Sequence, residues 1–291
     1  MFEVKFSSMK GILKIVKNIF LFVIIILAIR GCLSLLKERE QKKDAIYVMK
    51  LEETIFSSEK IISEIRKIKK AKEIKAVIIR INSPGGTIGA SQEIYHELLK
   101  FKEETGKKLI CSIENIGASG AYYVSLACDK VLALPGSIVG SIGVISIFFT
   151  VEELMKELKI KPFIIKSGKF KDTASPFRTP NEIDINYLQD VVMKLYKNFK
   201  EDVVKRRPQI KDKIDELADG RVFTGKEAFE LGLIDKLGSF SDAVSTAIEL
   251  AQIKEEPKII WPKKREFPFL EELMQKIKAQ LLSKLISPTF M

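Results

Sequence analysis

The stretch Ala76–Gly86, AVIIRINSPGG, decides the fold. Ala76 to Ile81 is apolar apart from Arg80 and shows none of the alternation of a half-exposed strand. A run this short and this rich in β-branched residues predicts a strand buried on both faces. Asn82-Ser83-Pro84-Gly85-Gly86 then punctuates the chain as a loop, and residues from about Ser91 to Thr105 predict a helix. The same order repeats on either side. Upstream, AIYVMKL (Ala45–Leu51) predicts a strand, and Glu59–Lys70 a helix with Ile61, Ile62, Ile65 and Ile68 on one face. Downstream, KLICSI (Lys108–Ile113) predicts a strand, and Ser119–Ala127 a helix packed inside. Alternating strands and helices define an α/β fold with a largely parallel sheet.

Beyond that block, GSIGVI is expected to turn into an apolar strand, Glu152–Leu158 into a short helix, and PFIIKSG into another strand. After SPFRTP, Ile185, Leu188, Val192, Leu195, Phe199 and Val203 recur every three or four residues and predict a long amphipathic helix. Thr224 and Glu227 are spaced as a capping box for a helix through Phe229, which GLIDKLG ends. Near the C-terminus, Leu270, Leu273, Met274, Ile277 and Leu281 form one apolar stripe suited to docking on a core or a neighbouring subunit, with a membrane-surface role second.

The N-terminal region has a different character. Ile19–Ile29, IFLFVIIILAI, is unbroken apolar sequence, and from Ile12 to Leu36 it is long enough to cross a bilayer if Lys14, Lys17 and Arg30 snorkel. No small-x-small cleavage site follows, which favours an uncleaved signal anchor. The organisation read here is a basic segment at 1–18, an anchor at 19–36, a charged linker at 37–44, a folded body at 45–254 and an amphipathic tail at 255–291. Lysines and arginines flank the anchor on both sides, so charge alone does not orient it.

Composition narrows the function. The 291 residues carry a net charge of +11, but the lysines are interspersed with glutamates rather than gathered with aromatics, which argues against nucleic acid as a partner. The three cysteines, Cys32, Cys111 and Cys128, form no CxxC pair and stand near no histidine, which argues against a zinc site and a disulfide framework. No cofactor is expected.

The candidate chemistry sits at two strand ends. In a parallel sheet the carboxyl ends of strands feed into helix N-termini, where reactive groups collect. GASGAYY (Gly117–Tyr123) places Ser119 at such an end, and NSPGG places Gly85 and Gly86 at another. Glycines let backbone N–H groups approach a ligand closely enough to stabilise an oxyanion. Each motif also has an ordinary reading, a turn for NSPGG and a tight helix contact for GASG. The only histidine, His96, falls in mid-helix and suits a helix surface better than catalysis. A serine nucleophile then needs another base, and a desolvated lysine can serve. Composition does not select which lysine.

Four ordered segments carry a resemblance: INSPGGTIGASQEIYHELLK, GASGAYYVSLACDKVLALPGSIVGSIGVI, SGKFKDTASPFR and DGRVFTGKEAFELGLIDKLGSFSDA. Together they resemble the signal peptide peptidase A family of bacterial membrane serine proteases, over about Ala45 to Ile253. The resemblance implies the fold shared by the caseinolytic protease and crotonase groups, with repeated strand-strand-helix units, and a serine-lysine dyad. It implies Ser119 as nucleophile and Lys171 of GKFKD as general base, with Lys169 as the rival. By the same resemblance Ser141 orients the lysine and Gly86 supplies an oxyanion N–H. Ala121 stands where the family more often has glycine, a methyl that narrows the surroundings of the nucleophile. The implied activity is degradation of remnant signal peptides and other apolar peptides within the membrane. The chain matches the half-length form, which implies a homo-oligomer, an octamer, with serine and lysine from adjacent subunits. The implied body faces the extracytoplasmic side of the cytoplasmic membrane. A crotonase-type acyl-coenzyme A enzyme and a non-catalytic membrane scaffold of the same fold are the alternatives.

Overall fold

The computed structural model describes residues 43–262, together with 25–27 and 29–30. The expected anchor at 19–36 lies outside the described residues except for that short helical piece, where Ile25, Ile26, Leu27 and Ile29 are exposed. Among the described residues no helix is long and apolar enough to cross a membrane. The apolar stripe of the tail also lies outside them. The chain divides into two units, Met1–Ile260 and Trp261–Met291, and the first contains every strand found among the described residues.

Its core is an α/β sheet. The first three strands, β1 (Ala45–Glu52), β2 (Ile74–Ser83) and β3 (Lys108–Ala118), alternate with α1 (Glu59–Lys69) and α2 (Ile88–Thr105) and pair in parallel. The buried run of β2 explains itself by its two faces. Val77, Ile79 and Ile81 join Leu109, Cys111 and Ile113 in a large core under α1 and α2. Ala76 and Ile78 join Ile110, Ala243 and Ala247 in a smaller core on the other face, beneath α8 (Phe240–Leu250). With water excluded from both sides no polar residue is wanted, and each buried isoleucine contributes roughly 1.5–3 kcal/mol. Helix α1 buries the expected face of Ile61, Ile62, Ile65 and Ile68. Its last carbonyls are met by the Lys107 ammonium, which donates to the carbonyls of Ile68 at 2.6 Å and Ala71 at 2.7 Å. Burial holds that lysine below its ordinary pKa.

The sheet forks at β3. The first half of β3 pairs with β4 (Lys130–Ala133), and its last residues, Ile116–Ala118, pair with β5 (Ile138–Gly140). Both pairings are parallel, and a register shift between Ile81 and Ser83 in the β2 ladder accompanies the fork. Helix α3 (Gly120–Ser125) leaves directly from the tip of β3. Helices α4 (Glu152–Glu157), α5 (Glu182–Arg206), α6 (Ile214–Leu217) and α7 (Gly225–Glu230) follow, with β6 (Val222–Thr224) antiparallel to β5 and β7 (Lys236–Leu237) beside β4. The Thr224–Glu227 capping box forms at the start of α7 as its spacing requires.

Three expectations change. The apolar segments after Ser141 and at PFIIKSG form no strands, because the chain offers them no ladder partner; Ile145, Phe148, Phe149, Phe163 and Ile165 stay exposed. The sheet also continues past residue 254, since β8 (Lys258–Ile260) pairs with β1. In α5 only Phe199 and Val203 of the expected apolar face are buried, and Ile185 is exposed.

Candidate active site

Ser119 is the hinge between β3 and α3. Its backbone takes φ 52° and ψ −123°, a region that L residues rarely occupy and that costs of order 1–3 kcal/mol unless neighbours enforce it. The neighbours do so. The Ser119 N–H donates to the Gly140 carbonyl at 2.7 Å, and its carbonyl accepts from the Tyr123 N–H at 2.9 Å. The turn projects a partly exposed serine side chain at the carboxyl end of the sheet.

The NSPGG loop closes against this turn. Gly85 has φ +97°, and a Cβ there would lie 2.6 Å from the Gly120 nitrogen and 2.7 Å from the Ala118 carbonyl oxygen. Only glycine permits that approach. The strip Thr54–Phe56 holds the loop from the other side: the Ile55 N–H donates to the Gly85 carbonyl and the Thr87 N–H donates to the Ile55 carbonyl, both at 2.8 Å. Those two bonds skip Gly86, whose own N–H is left without a backbone partner and stands close to Gly120. The Gly120 N–H, first in its helix, has no intrahelical acceptor either. The helix is only six residues long, so any electrostatic help to Ser119 comes from these amides rather than from a long dipole.

A small pocket opens beside Ser119, lined by Gly86, Ile88, Gln92, Tyr123, Val144, Leu195 and Phe199 among others. Gln92, Tyr123, Leu195 and Phe199 had no functional signal in the sequence; they reach the pocket only because α2, α3 and α5 converge there. The Tyr123 hydroxyl donates to Asp202, and burial with that bond raises its pKa. No lysine lines the pocket among the described residues.

The other candidates lie as follows. Ser141 sits one residue beyond the Gly140 carbonyl that holds Ser119; it has φ 51° and donates its N–H to the Arg221 carbonyl at 2.8 Å. Lys171 is exposed, in a turn closed by its N–H to the Gly168 carbonyl at 3.2 Å. Lys169 lies over the ring of Phe170, which stacks on Tyr187. His96 is exposed on α2 against the edge of Tyr95. Within one chain, therefore, Ser119, Gly85, Gly86 and the Ser141 backbone come together, and Lys171 is not among the groups lining their pocket.

The turn bearing Lys171 is nevertheless fixed. Arg178 donates to both carboxylate oxygens of Asp172, at 2.9 and 3.2 Å, and to both of Asp184, at 2.5 and 3.1 Å. Lys166 adds a bond to Asp172 at 2.6 Å. Arg178 and then Lys166 hold the Asp172 carboxyl down at about 2, and Arg178 holds Asp184 lower still. Asp184 also forms a capping box with Asn181 at the start of α5. The Asn181-x-x-Asp184 spacing was the one available signal for this network.

This is an α/β protein whose sheet presents a serine on a strained strand-to-helix turn against a glycine loop. Comparison with known proteins gives the arrangement its place: residues 101–254 match the model of peptidase family S49. The chain is 40% identical over 180 residues to a putative protease of Synechocystis, covering 62% of this chain and 64% of that protein. It is 35% identical over 191 residues to a putative signal peptide peptidase SppA of Enterococcus faecium, covering 66% of this chain and 55% of the relative. To a putative protease of Methanocaldococcus jannaschii it is 34% identical over 223 residues, covering 76% and 66%. The chain thus spans less than two thirds of the length of each. It belongs to peptidase family S49, the signal peptide peptidase A family.

Proposed function

We propose that the chain is a membrane-anchored serine endopeptidase that degrades remnant signal peptides, on the fold shared by the caseinolytic protease and crotonase groups. The observation that carries this reading is the placement of Ser119, on an enforced left-handed turn at the mouth of an apolar pocket and beside the unbonded Gly86 N–H. A peptide carbonyl seated there meets the Ser119 hydroxyl, and the developing oxyanion is received by the Gly86 and Gly120 amides. The small apolar pocket suits the short side chains of signal-peptide remnants.

The base is Lys171 of a neighbouring copy. Its exposure in the single chain, and the row of uncovered apolar side chains from Ile145 to Phe170, support a ring in which this arm packs on the next subunit. Burial in such an interface is the condition under which an amine gives up its proton. The neutral amine takes the hydroxyl proton as the carbonyl is attacked, then hands it to the leaving amine; water repeats the cycle to free the acyl-enzyme. Ser141 orients the amine. The ring is an octamer, the apolar segment at 19–36 its anchor, and the body lies on the extracytoplasmic side, where processed signal peptides remain in the same bilayer.

Labelling with a fluorophosphonate tests the reading. The wild type should be labelled at Ser119, Ser119→Ala should not, and Lys171→Ala should keep its fold and oligomeric state yet lose both labelling and cleavage of an apolar peptide. Cleavage retained by Lys171→Ala would reject that lysine. An acyl-coenzyme A enzyme or a scaffold would leave Ser119 unlabelled.

A further inference from the structure

The three cysteines argued against disulfides by their count, but the fold brings two of them together. Cys111 lies in the middle of β3, and Cys128 follows the end of α3. Both side chains are buried, and their sulfurs are 2.6 Å apart. Among the described residues no group of three or more His, Cys, Asp or Glu is arranged to hold a metal, so the contact is one of two thiols alone.

We propose that Cys111 and Cys128 are a redox-modification site that closes to a disulfide and clamps the two flanks of the Ser119 turn. The cysteines are 17 residues apart, and the segment between them contains the last part of β3, the whole turn and all of α3. A bond there ties the strand that enters the strained turn to the helix that leaves it. The effect is to reduce the freedom of the unfolded segment that must be brought into a conformation L residues resist.

The chemistry places the reaction in time. The thiolate is the reacting species, and burial pushes the Cys111 thiol up, so the folded pair is slow to oxidise. The bond therefore forms while β3 and α3 are assembling, by exchange with the disulfide of an oxidised dithiol oxidoreductase. One cysteine thiolate attacks that disulfide and forms a mixed disulfide, releasing one thiol of the oxidant. The second cysteine thiolate displaces the other. The chain loses two protons and two electrons as its S–S bond forms, and the oxidant's disulfide becomes two thiols. The inference does not depend on Ser119 being a nucleophile.

The test uses the full chain, expressed with its body directed to an oxidising compartment. The protein is unfolded in guanidinium with iodoacetamide and no reductant, then cleaved after lysine and arginine. The peptide Leu109–Lys130 contains both cysteines. It should be unalkylated and two hydrogens lighter than the dithiol, and cleavage after Glu114 should leave two pieces joined until reductant is added. Alkylation of both cysteines, or linkage of either to Cys32 or to another chain, overturns the proposal. Refolding with the pair reduced should lower the melting temperature by roughly 5–10 °C relative to the oxidised form. A Cys111→Ala/Cys128→Ala double variant should melt at one temperature under both conditions. Equal melting of reduced and oxidised wild type would remove the clamp.

Discussion

A side chain at Gly85 would bring its first carbon within 2.9 Å of the Ser119 Cβ, and within 2.7 Å of backbone atoms on either side of that serine. Backbone does not step aside, and φ +97° is itself foreign to L residues. Gly85→Ala should therefore cost about 2–4 kcal/mol in denaturant unfolding. Its fluorophosphonate labelling should fall about 100-fold, the scale of a displacement near 1 Å. Gly89→Ala is the control. Gly89 is exposed in the first turn of α2 with open space around it, so alanine should add about 0.5–1 kcal/mol and leave labelling unchanged.

Asp235 joins the C-terminal end of α5 to β4. Its carboxylate accepts from Arg207 at 2.7 Å and from the Val131 N–H at 2.8 Å. Arg207 is buried, and its Nε has no hydrogen-bond partner. Asp235→Ala would leave a buried guanidinium and a β4 amide unmatched, and should cost about 3–5 kcal/mol in urea unfolding. Asp235→Asn, which still accepts from both donors, should cost less.

The Arg178 pair predicts an acid-sensitive turn. Asp172 and Asp184 have folded pKa values below the ordinary carboxylate range, about 2 for Asp172, against roughly 4 in an unfolded chain. Their stabilisation is thus complete above pH about 4 and is lost as pH falls through about 2. Pepsin cleavage at Phe170 and Phe177 should rise steeply only at the bottom of that window. In Arg178→Gln the same cleavage should be rapid already at pH 4. Equal cleavage of the two proteins at pH 4 would show that Arg178 does not hold the turn.

If serine and lysine come from adjacent copies, two dead variants can repair each other. Mixed after dissociation and reassembly, Ser119→Ala and Lys171→Ala should recover part of the wild-type peptidase rate, because some interfaces then pair an intact serine with an intact lysine. A dyad confined to one chain gives no recovery.

Much of the architecture was legible because β2, β3 and α1 are dictated by their own apolar patterns. The Thr224–Glu227 box was legible because a cap is a local event. The apolar stretches on either side of α4, after Ser141 and at PFIIKSG, were not. They have the composition of strands, but a strand is a relation to a neighbour, and one chain provides none. β8 escaped notice because three residues carry no periodicity. At the site, Ser119, Gly85 and Gly86 stood out through glycine punctuation at strand ends. Asp172, Arg178 and Asp184 did not, since charges spaced six apart read as solvated surface until the turn folds them together.

The helix that follows Ser119 packs on α2 before it, but three of its hydrogen bonds come from residues translated long after it. Tyr122 donates its hydroxyl to the Leu233 carbonyl, Tyr123 to Asp202, and Arg206 donates to the Leu126 carbonyl. A ribosome-bound chain that has emerged only to residue 200 has none of these fastenings. The turn at Ser119 is therefore finished late, since the hydrogen bonds that secure the helix leaving it wait for the chain beyond residue 200.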